Sequence, residues 1–243
     1  MKAWWAQTVA EVRMNLQRGE TLLLTLGIPV GLLVFFSLTK VTTLPAGRRV
    51  DFLAPGILAL CVLSTSLVAL SIGTGFERSY GVLRRLFITP LGQRRLIGAK
   101  IASVLVTEVI QVVVLSVVAL ILGWQPQACL RNDALVALAL LLGSAGCAGI
   151  GLLLAGRLRA EVNLAAANGL YLLLLLFSGI VLPLTSMPAA VRHAVLWLPS
   201  GAMADAVHGL LGSSVLPGAT DWVSLSAWAI AAPLLAARTF RYD

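Results

Sequence analysis

The sequence predicts an all-α protein that crosses a membrane several times, and three observations carry this prediction. Of the 243 residues, 59% are hydrophobic and 12% are charged, whereas about a quarter of the residues in a soluble domain are charged. The mean hydropathy is +0.94. Apolar runs recur along the chain, and the length of each is close to that of a helix that crosses the bilayer hydrocarbon, about 20 residues. We therefore expect one polytopic membrane domain over residues 1–243.

Six apolar runs predict six transmembrane helices. The predicted spans are 21–39, 52–76, 96–122, 134–156, 162–182 and 219–237. Small residues recur in two of them, as Gly73-x-Gly75 in the second span and as the glycine-rich stretch 143–151 in the fourth. Such residues let helices approach closely, although a ligand site is the alternative interpretation for the second span.

A polar lead-in comes before the first span. Residues 1–20 place Trp5, Val9 and Val12 on one helical face, with Gln7 and Glu11 on the opposite face. This spacing is typical of an amphipathic helix that lies at the membrane interface and contacts lipid.

The stretch 188–212 is apolar but interrupted. It contains two histidines, together with Arg192, Pro199 and Asp205. An arginine or aspartate at mid-bilayer costs roughly 2.5 to 3.5 kcal/mol, so we do not expect a seventh span. We expect two short outer helices, 188–198 and 201–212, broken at Pro199, which lie at the outer interface or dip in against protein.

The distribution of basic residues predicts the orientation. With six spans, thirteen of the eighteen Lys and Arg residues lie on the side of the two termini. Positive residues collect in the cytoplasm, so both termini are expected there. Arginine is far commoner than lysine, which suggests a GC-rich bacterial genome, and we expect the protein in the bacterial inner membrane. Because the net charge of +8 lies mostly in short loops between spans, we do not expect nucleic-acid binding.

No catalytic motif is present in the sequence. The phosphate-binding pattern G-x-x-x-x-G-K-[ST] does not occur, nor do H-E-x-x-H, C-x-x-C or G-x-S-x-G. The three cysteines suggest neither a disulfide framework nor a metal site. We therefore predict no catalytic residues, no metal ligands and no cofactor bound by this chain.

The longest charged segment, residues 77–95, lies between the second and third spans, and we call it the basic segment. In order, it and the start of the next span present Glu77, Gly81, Leu83, Leu86, Thr89-Pro90, Arg94-Arg95 and Gly98-x-Lys100. This order resembles the coupling region of permease subunits in the type-2 ABC exporter family, which includes drug, polysaccharide and lipid exporters. The six spans, the interfacial helix and the two outer helices are also similar to that family.

The resemblance implies that two permease subunits, identical or paralogous, pair in the membrane. Each would dock on a separate ATPase subunit, which carries ATP and Mg. The residues implied in ATPase coupling are Glu77, Arg78, Gly81, Leu83, Arg84, Arg85, Leu86, Phe87, Thr89 and Pro90. The apolar members would enter a cleft on the ATPase and the arginines would meet acidic partners. Family members often have Gly-Thr-Leu-Glu where this chain has Gly81-Val-Leu-Arg84, so a specific ion pair at Arg84 is not carried over.

Polar residues inside the predicted spans are candidates for a substrate path. Glu108 lies roughly 18 Å along the third span, near mid-depth, and shares a helical face with Gln111. Asn163 and Asn168 lie in the fifth span. Such residues must face protein or water, and hydrogen bonds between helices are the alternative interpretation.

The predicted function is export of a drug or another hydrophobic or amphiphilic substrate. Export of lipid, polysaccharide or haem by the same architecture is the alternative. A channel or a membrane scaffold without an ATPase is an alternative from a different class.

Overall fold

The computed structural model describes residues 2–17, 23–39, 49–83, 93–126, 130–179, 188–212 and 216–240. Nine helices lie in these ranges: α1 (Lys2–Gln17), α2 (Ile28–Leu38), α3 (Arg49–Ser79), α4 (Gln93–Ile121), α5 (Leu130–Ala155), α6 (Ala160–Leu176), α7 (Ala189–Leu196), α8 (Pro199–Leu211) and α9 (Ala219–Thr239). A π-helical turn, Leu23–Gly27, leads into α2, and Ser64–Ala69 forms a π-helical stretch within α3. Every regular element in the described residues is helical, which confirms the all-α prediction.

Four helices in the described part of the chain, α3, α4, α5 and α9, are long and apolar enough to cross a membrane. The bent pair α7 and α8 would supply a fifth span if it crosses as one unit. The helices α2 and α6 are apolar but shorter. This set of helices is that of a polytopic membrane protein.

The helix predicted over 162–182 ends earlier than expected. Its last residue is Leu176, and Gly179 has a φ of +78°. A residue with positive φ leaves the right-handed helix, and glycine does so without steric cost. The predicted residues 180–182 lie outside the described part of the chain.

Two short helices are present in the predicted stretch 188–212, but the break between them differs from the prediction. Helix α8 begins at Pro199, so this proline opens a helix instead of interrupting one. A proline in the first turn is tolerated because its missing amide hydrogen has no partner there in any helix. The two helices are bent by 96°, and α8 is buried along most of its length between α3, α5 and α9. Of the two predicted placements, α8 has the one against protein.

Helix α5 packs closely against two neighbouring helices. A Cβ atom added at Gly149 would lie 2.5 Å from the backbone nitrogen of Pro233 in α9. One added at Gly151 would lie 2.7 Å from the carbonyl oxygen of Leu67 in α3. The glycine-rich stretch therefore provides the close helix packing predicted from the sequence, and its partners are α9 on one side and α3 on the other.

Helix α1 lies along α4 with its apolar face outward. Trp5 and Val9 are 63% and 49% exposed, while Thr8 and Glu11 are buried. The outward apolar face agrees with the predicted lipid contact. The sequence did not indicate that the polar face would be covered by protein, and Glu11 on that face is a first element of the candidate site.

Candidate functional site

Three helices meet where the basic segment joins the bundle, and we call this part of the molecule the basic end. At its centre lies an ion triad of Glu11 on α1, Glu77 on α3 and Lys100 on α4. The Lys100 Nζ atom lies 2.5 Å from Glu77 Oε2 and 3.1 Å from Glu11 Oε1. Gln7 donates a further hydrogen bond of 2.9 Å to Glu11 Oε1. One ammonium group thus connects all three helices.

The ion triad is largely withdrawn from solvent. The exposed fractions of the side chains are 4% for Lys100, 6% for Glu11 and 18% for Glu77. Removing one member of a buried ion pair leaves an uncompensated charge, which is much more costly than losing an exposed pair. The triad therefore fixes α1 against the two helix ends that flank the basic segment.

The junction of α3 with the basic segment is defined by Gly81. This residue has a φ of +71°, and its amide donates to the carbonyl oxygen of Arg78 at 2.9 Å. A glycine in this left-handed conformation is a common way to end a helix. Arg78 Nη1 donates to the carbonyl oxygens of Ala155 at 3.0 Å and Leu158 at 3.3 Å. The guanidinium predicted to meet an acidic partner is thus engaged at the carboxyl end of α5.

Leu83 occupies an unexpected position. Its side chain is 0% exposed and belongs to a small apolar cluster. The other buried members are Leu70, Leu96, Ile97, Val104, Ala148, Leu152, Ala236 and Phe240. The sequence suggested that Leu83 enters a cleft on another protein, but here it packs inside its own chain. The remaining predicted coupling residues, Arg84, Arg85, Leu86, Phe87, Thr89 and Pro90, lie outside the described residues.

A cavity of about 670 Å³ lies beside the ion triad. Its walls come from α1, α2, α3, α4 and α6; α3 contributes residues from Leu60 to Glu77, and Tyr80 follows just after its end. Apolar side chains form much of the lining, with hydroxyl groups such as those of Ser64 and Thr107 between them. The volume is that of a site for a drug-sized molecule.

Gln111 supports the wall of this cavity. Its Oε1 atom accepts a hydrogen bond of 3.0 Å from Thr65, and its Nε2 atom donates one of 3.4 Å to the carbonyl oxygen of Thr25. Both threonines line the cavity. Glu108 is 5% exposed and is not among the lining residues. Its Oε1 atom is buried and receives no hydrogen bond from the described residues.

The two asparagines of α6 have different surroundings. Asn163 is fully buried and exchanges two hydrogen bonds of 2.9 Å with the side chain and backbone of Ser71 on α3. Asn168 is exposed, bonds to the carbonyl oxygen of Leu164 in its own helix and lines the cavity. Of the four predicted path residues, Asn168 therefore reaches the cavity, Gln111 supports its wall and Asn163 joins two helices.

Sequence reasoning missed the pairing of Glu11 with Lys100. A signal was available, because Lys100 lies within an apolar run and a base at such a position needs an acidic partner. The identity of that partner was not available, since Glu11 is 89 positions away along the chain.

The fold and this site together define an integral membrane protein in which an ion-paired base adjoins a charged segment. A family model for the ABC-2 type transporter matches residues 3–211, which include α1 to α8 almost completely and all three members of the ion triad. The chain therefore belongs to the ABC-2 type transporter family. A search of curated proteins finds no match to this chain. Proteins of this family are membrane components of transporters, normally work with a partner ATPase subunit and are not catalytic enzymes by themselves.

Proposed function

We propose that this chain is the permease subunit of an ABC exporter that moves a drug or another amphiphilic molecule out of a bacterial cell. The observation that carries the proposal is the ion triad, which joins α1 to the ends of α3 and α4. These are the helix ends that residues 84–92 connect along the chain. A force applied to that segment would reach three helices together.

The proposal includes six spans, formed by α2, α3, α4, α5, α6 and α9. Both termini and the basic segment lie in the cytoplasm, in agreement with the positive-inside rule, and α7 and α8 form the outer pair. The protein resides in the inner membrane. Its shorter helices, α2 and α6, match the first and fifth spans predicted from the sequence.

In the proposed mechanism the basic segment docks on a separate ATPase subunit, which binds ATP and Mg. Leu86 and Phe87 make the apolar contact, with Arg84 and Arg85 beside them. Leu83 holds the first residues of the segment to the bundle, consistent with its complete burial. Two permease subunits, each with one ATPase, form the working transporter. Closure of the ATPases then moves α1, α3 and α4, which the ion triad connects, and changes the volume of the cavity beside the triad.

The test co-expresses this chain with the single ATP-binding-cassette ATPase subunits of its source genome, one at a time, and co-purifies each pair. We expect a stable complex with the wild-type chain. Phe87→Asp should weaken it roughly tenfold or more, a loss typical of a central apolar contact in an interface. Leu216→Asp is the matched control. Leu216 is 58% exposed and lies just before the first residue of α9, whereas the last turns of α9 pack near Leu83 at the basic end. This second variant should leave the complex unchanged.

Either of two results would overturn the proposal. The first is that the wild-type chain forms no complex with the ATPase. The second is that Phe87→Asp retains both ATPase binding and transport, since docking through the basic segment would then be wrong.

A further inference from the structure

We propose that the cavity beside the ion triad binds an amphiphilic organic cation, with the cationic group at Glu77 and the apolar body between α2, α3, α4 and α6. This inference rests on the proposed function and deepens it by assigning a substrate class and a site. Three features of the cavity support the inference: the charge of its lining, its two aromatic rings and the free space at Gly73.

The charge of the lining favours a cation. The charged residues among those that line the cavity are Glu11, Glu77 and Lys100, which together carry one net negative charge when ionised. Lys100 bonds to Glu77 through Oε2, and no described residue donates a hydrogen bond to Glu77 Oε1. Glu77 is also the most exposed member of the triad. One carboxylate oxygen at the edge of the cavity is thus available to a ligand.

Two aromatic rings line the same cavity as this carboxylate. Phe76 and Tyr80 both line the cavity, and their ring centroids are 6.2 Å apart with the planes inclined by 26°. The faces of aromatic rings attract cations, including quaternary ammonium groups that cannot donate hydrogen bonds. A cavity lined by a carboxylate and two aromatic rings suits an organic cation better than an anion.

Gly73 shows that the space in the cavity depends on a small residue. A Cβ atom added at Gly73 would meet nothing within 4 Å, whereas one added at Gly75 would lie 2.6 Å from Asn163 Nδ2. Gly75 is therefore required for close packing of α3 against α6. Gly73 lines the cavity without any such contact. Glycine within a helix lowers stability by roughly 0.5 to 1 kcal/mol relative to alanine. Since Gly73 makes no close packing contact, we infer that its role is to leave volume for a ligand.

The experiment compares two ions of the same shape and opposite charge, tetraphenylphosphonium and tetraphenylborate. Binding of each to the purified permease in detergent is measured by equilibrium dialysis without any ATPase. Wild type and Gly73→Leu are measured in parallel, because their difference removes the contribution of empty micelles. The matched control is Gly31→Leu, since Gly31 also has nothing within 4 Å but is exposed on α2 and does not line the cavity.

We expect wild-type protein to bind the phosphonium roughly tenfold or more tightly than the borate, because one carboxylate at close range discriminates between opposite charges. Gly73→Leu should lower phosphonium binding by roughly tenfold, because its side chain fills part of the site. Gly31→Leu should not change it. Glu77→Gln should reduce the preference for the phosphonium while borate binding is retained.

Equal binding of the two ions, no phosphonium binding, or unchanged binding in Gly73→Leu would each overturn the inference. The same preparations are tested for association with the ATPase. A permease that associates with the ATPase but does not discriminate between the ions disproves this inference and leaves the proposed function intact. One that binds the phosphonium but no ATPase disproves the proposed function instead.

Discussion

The two sides of the bundle are packed differently, although both are built from apolar helices rich in small residues. On the side of α5, α8 and α9, a Cβ atom added at a glycine would lie within 3.0 Å of a neighbouring helix, and this holds for Gly143, Gly146 and Gly149. On the side of α2, α3 and α6, one added at Gly31, Gly73 or Gly169 would meet nothing within 4 Å, and Gly75, at 2.6 Å from Asn163, is the closely packed exception among the described residues there. We call these the tight side and the open side.

This difference shows that a small residue in a membrane helix has two distinct uses. Helices in lipid gain little from burying apolar surface against each other, so close backbone approach is a main source of their association. The glycines of the tight side serve this purpose. On the open side, Gly73 leaves space that is part of the cavity next to the ion triad. We infer that the tight side is a fixed scaffold and that the open side carries the movement.

The largest expected effect comes from removing the ammonium group of the ion triad. Lys100→Met leaves Glu11 and Glu77 without their shared partner, and breaking a buried ion pair in this way costs about 3 to 5 kcal/mol. The measurement is the free energy of unfolding in detergent. The matched control is Arg95→Met, because Arg95 lies on the same helix but is exposed.

The double variant Glu11→Gln/Lys100→Met should recover part of the loss, since it removes one of the two orphaned carboxylates. Equal stability of Lys100→Met and Arg95→Met would show that the triad does not hold the open side together.

A smaller effect is expected from filling the tight side. Gly149→Leu places a side chain against the backbone of α9, and overpacking of this kind costs about 1 to 3 kcal/mol. Gly169→Leu on α6 is the matched substitution on the open side and should change stability by less than about 0.5 kcal/mol. Thermal unfolding of both variants in the same detergent gives the comparison. Similar losses for the two variants would remove the distinction between the sides.

The sequence predicted the helical class and the short outer helices because hydropathy and charge are local properties of the chain. It also predicted that Gly73, Gly75 and the glycines of α5 would allow close packing, which is confirmed for Gly75 and Gly149 but is wrong for Gly73, where an added Cβ atom would meet nothing within 4 Å. It could not assign their partners, because the contact of Gly149 with Pro233 depends on how distant helices are arranged. For the same reason the sequence could not predict the ion triad, whose members come from three helices. Nor could it predict the cavity, which lies between five helices.

The sequence was misleading where a local pattern had two structural solutions. Leu83 fits an exposed docking surface and a buried anchor equally well, and only the arrangement of α4, α5 and α9 around it selects the second. Pro199 similarly fits a break within a helix and the first turn of one. The basic segment beyond Leu83 retains the role that the sequence suggested, as a prediction.

A modest effect is expected at the contact between α3 and α6. Asn163→Ala removes both hydrogen bonds to Ser71, and such bonds between membrane helices contribute about 0.6 kcal/mol each on average. The loss should be about 1 kcal/mol in unfolding free energy. Asn168→Ala is the control, because Asn168 is exposed and bonds only within its own helix. A larger loss from Asn168→Ala than from Asn163→Ala would contradict the assignment of Asn163 as the residue that joins the helices.

The smallest effect is expected at Glu108, and its direction is the opposite of the others. A buried carboxylate oxygen without a donor is costly, and glutamine has the same shape without the charge, so Glu108→Gln should leave stability unchanged or raise it by about 1 kcal/mol. Because Glu108 does not line the cavity, the preference for tetraphenylphosphonium over tetraphenylborate should persist. Both quantities are measured on one preparation, with Glu77→Gln as the comparison. If Glu108→Gln loses the preference and Glu77→Gln keeps it, the cation site lies deeper in the bundle, between α4 and α5, and the open side does not contain it.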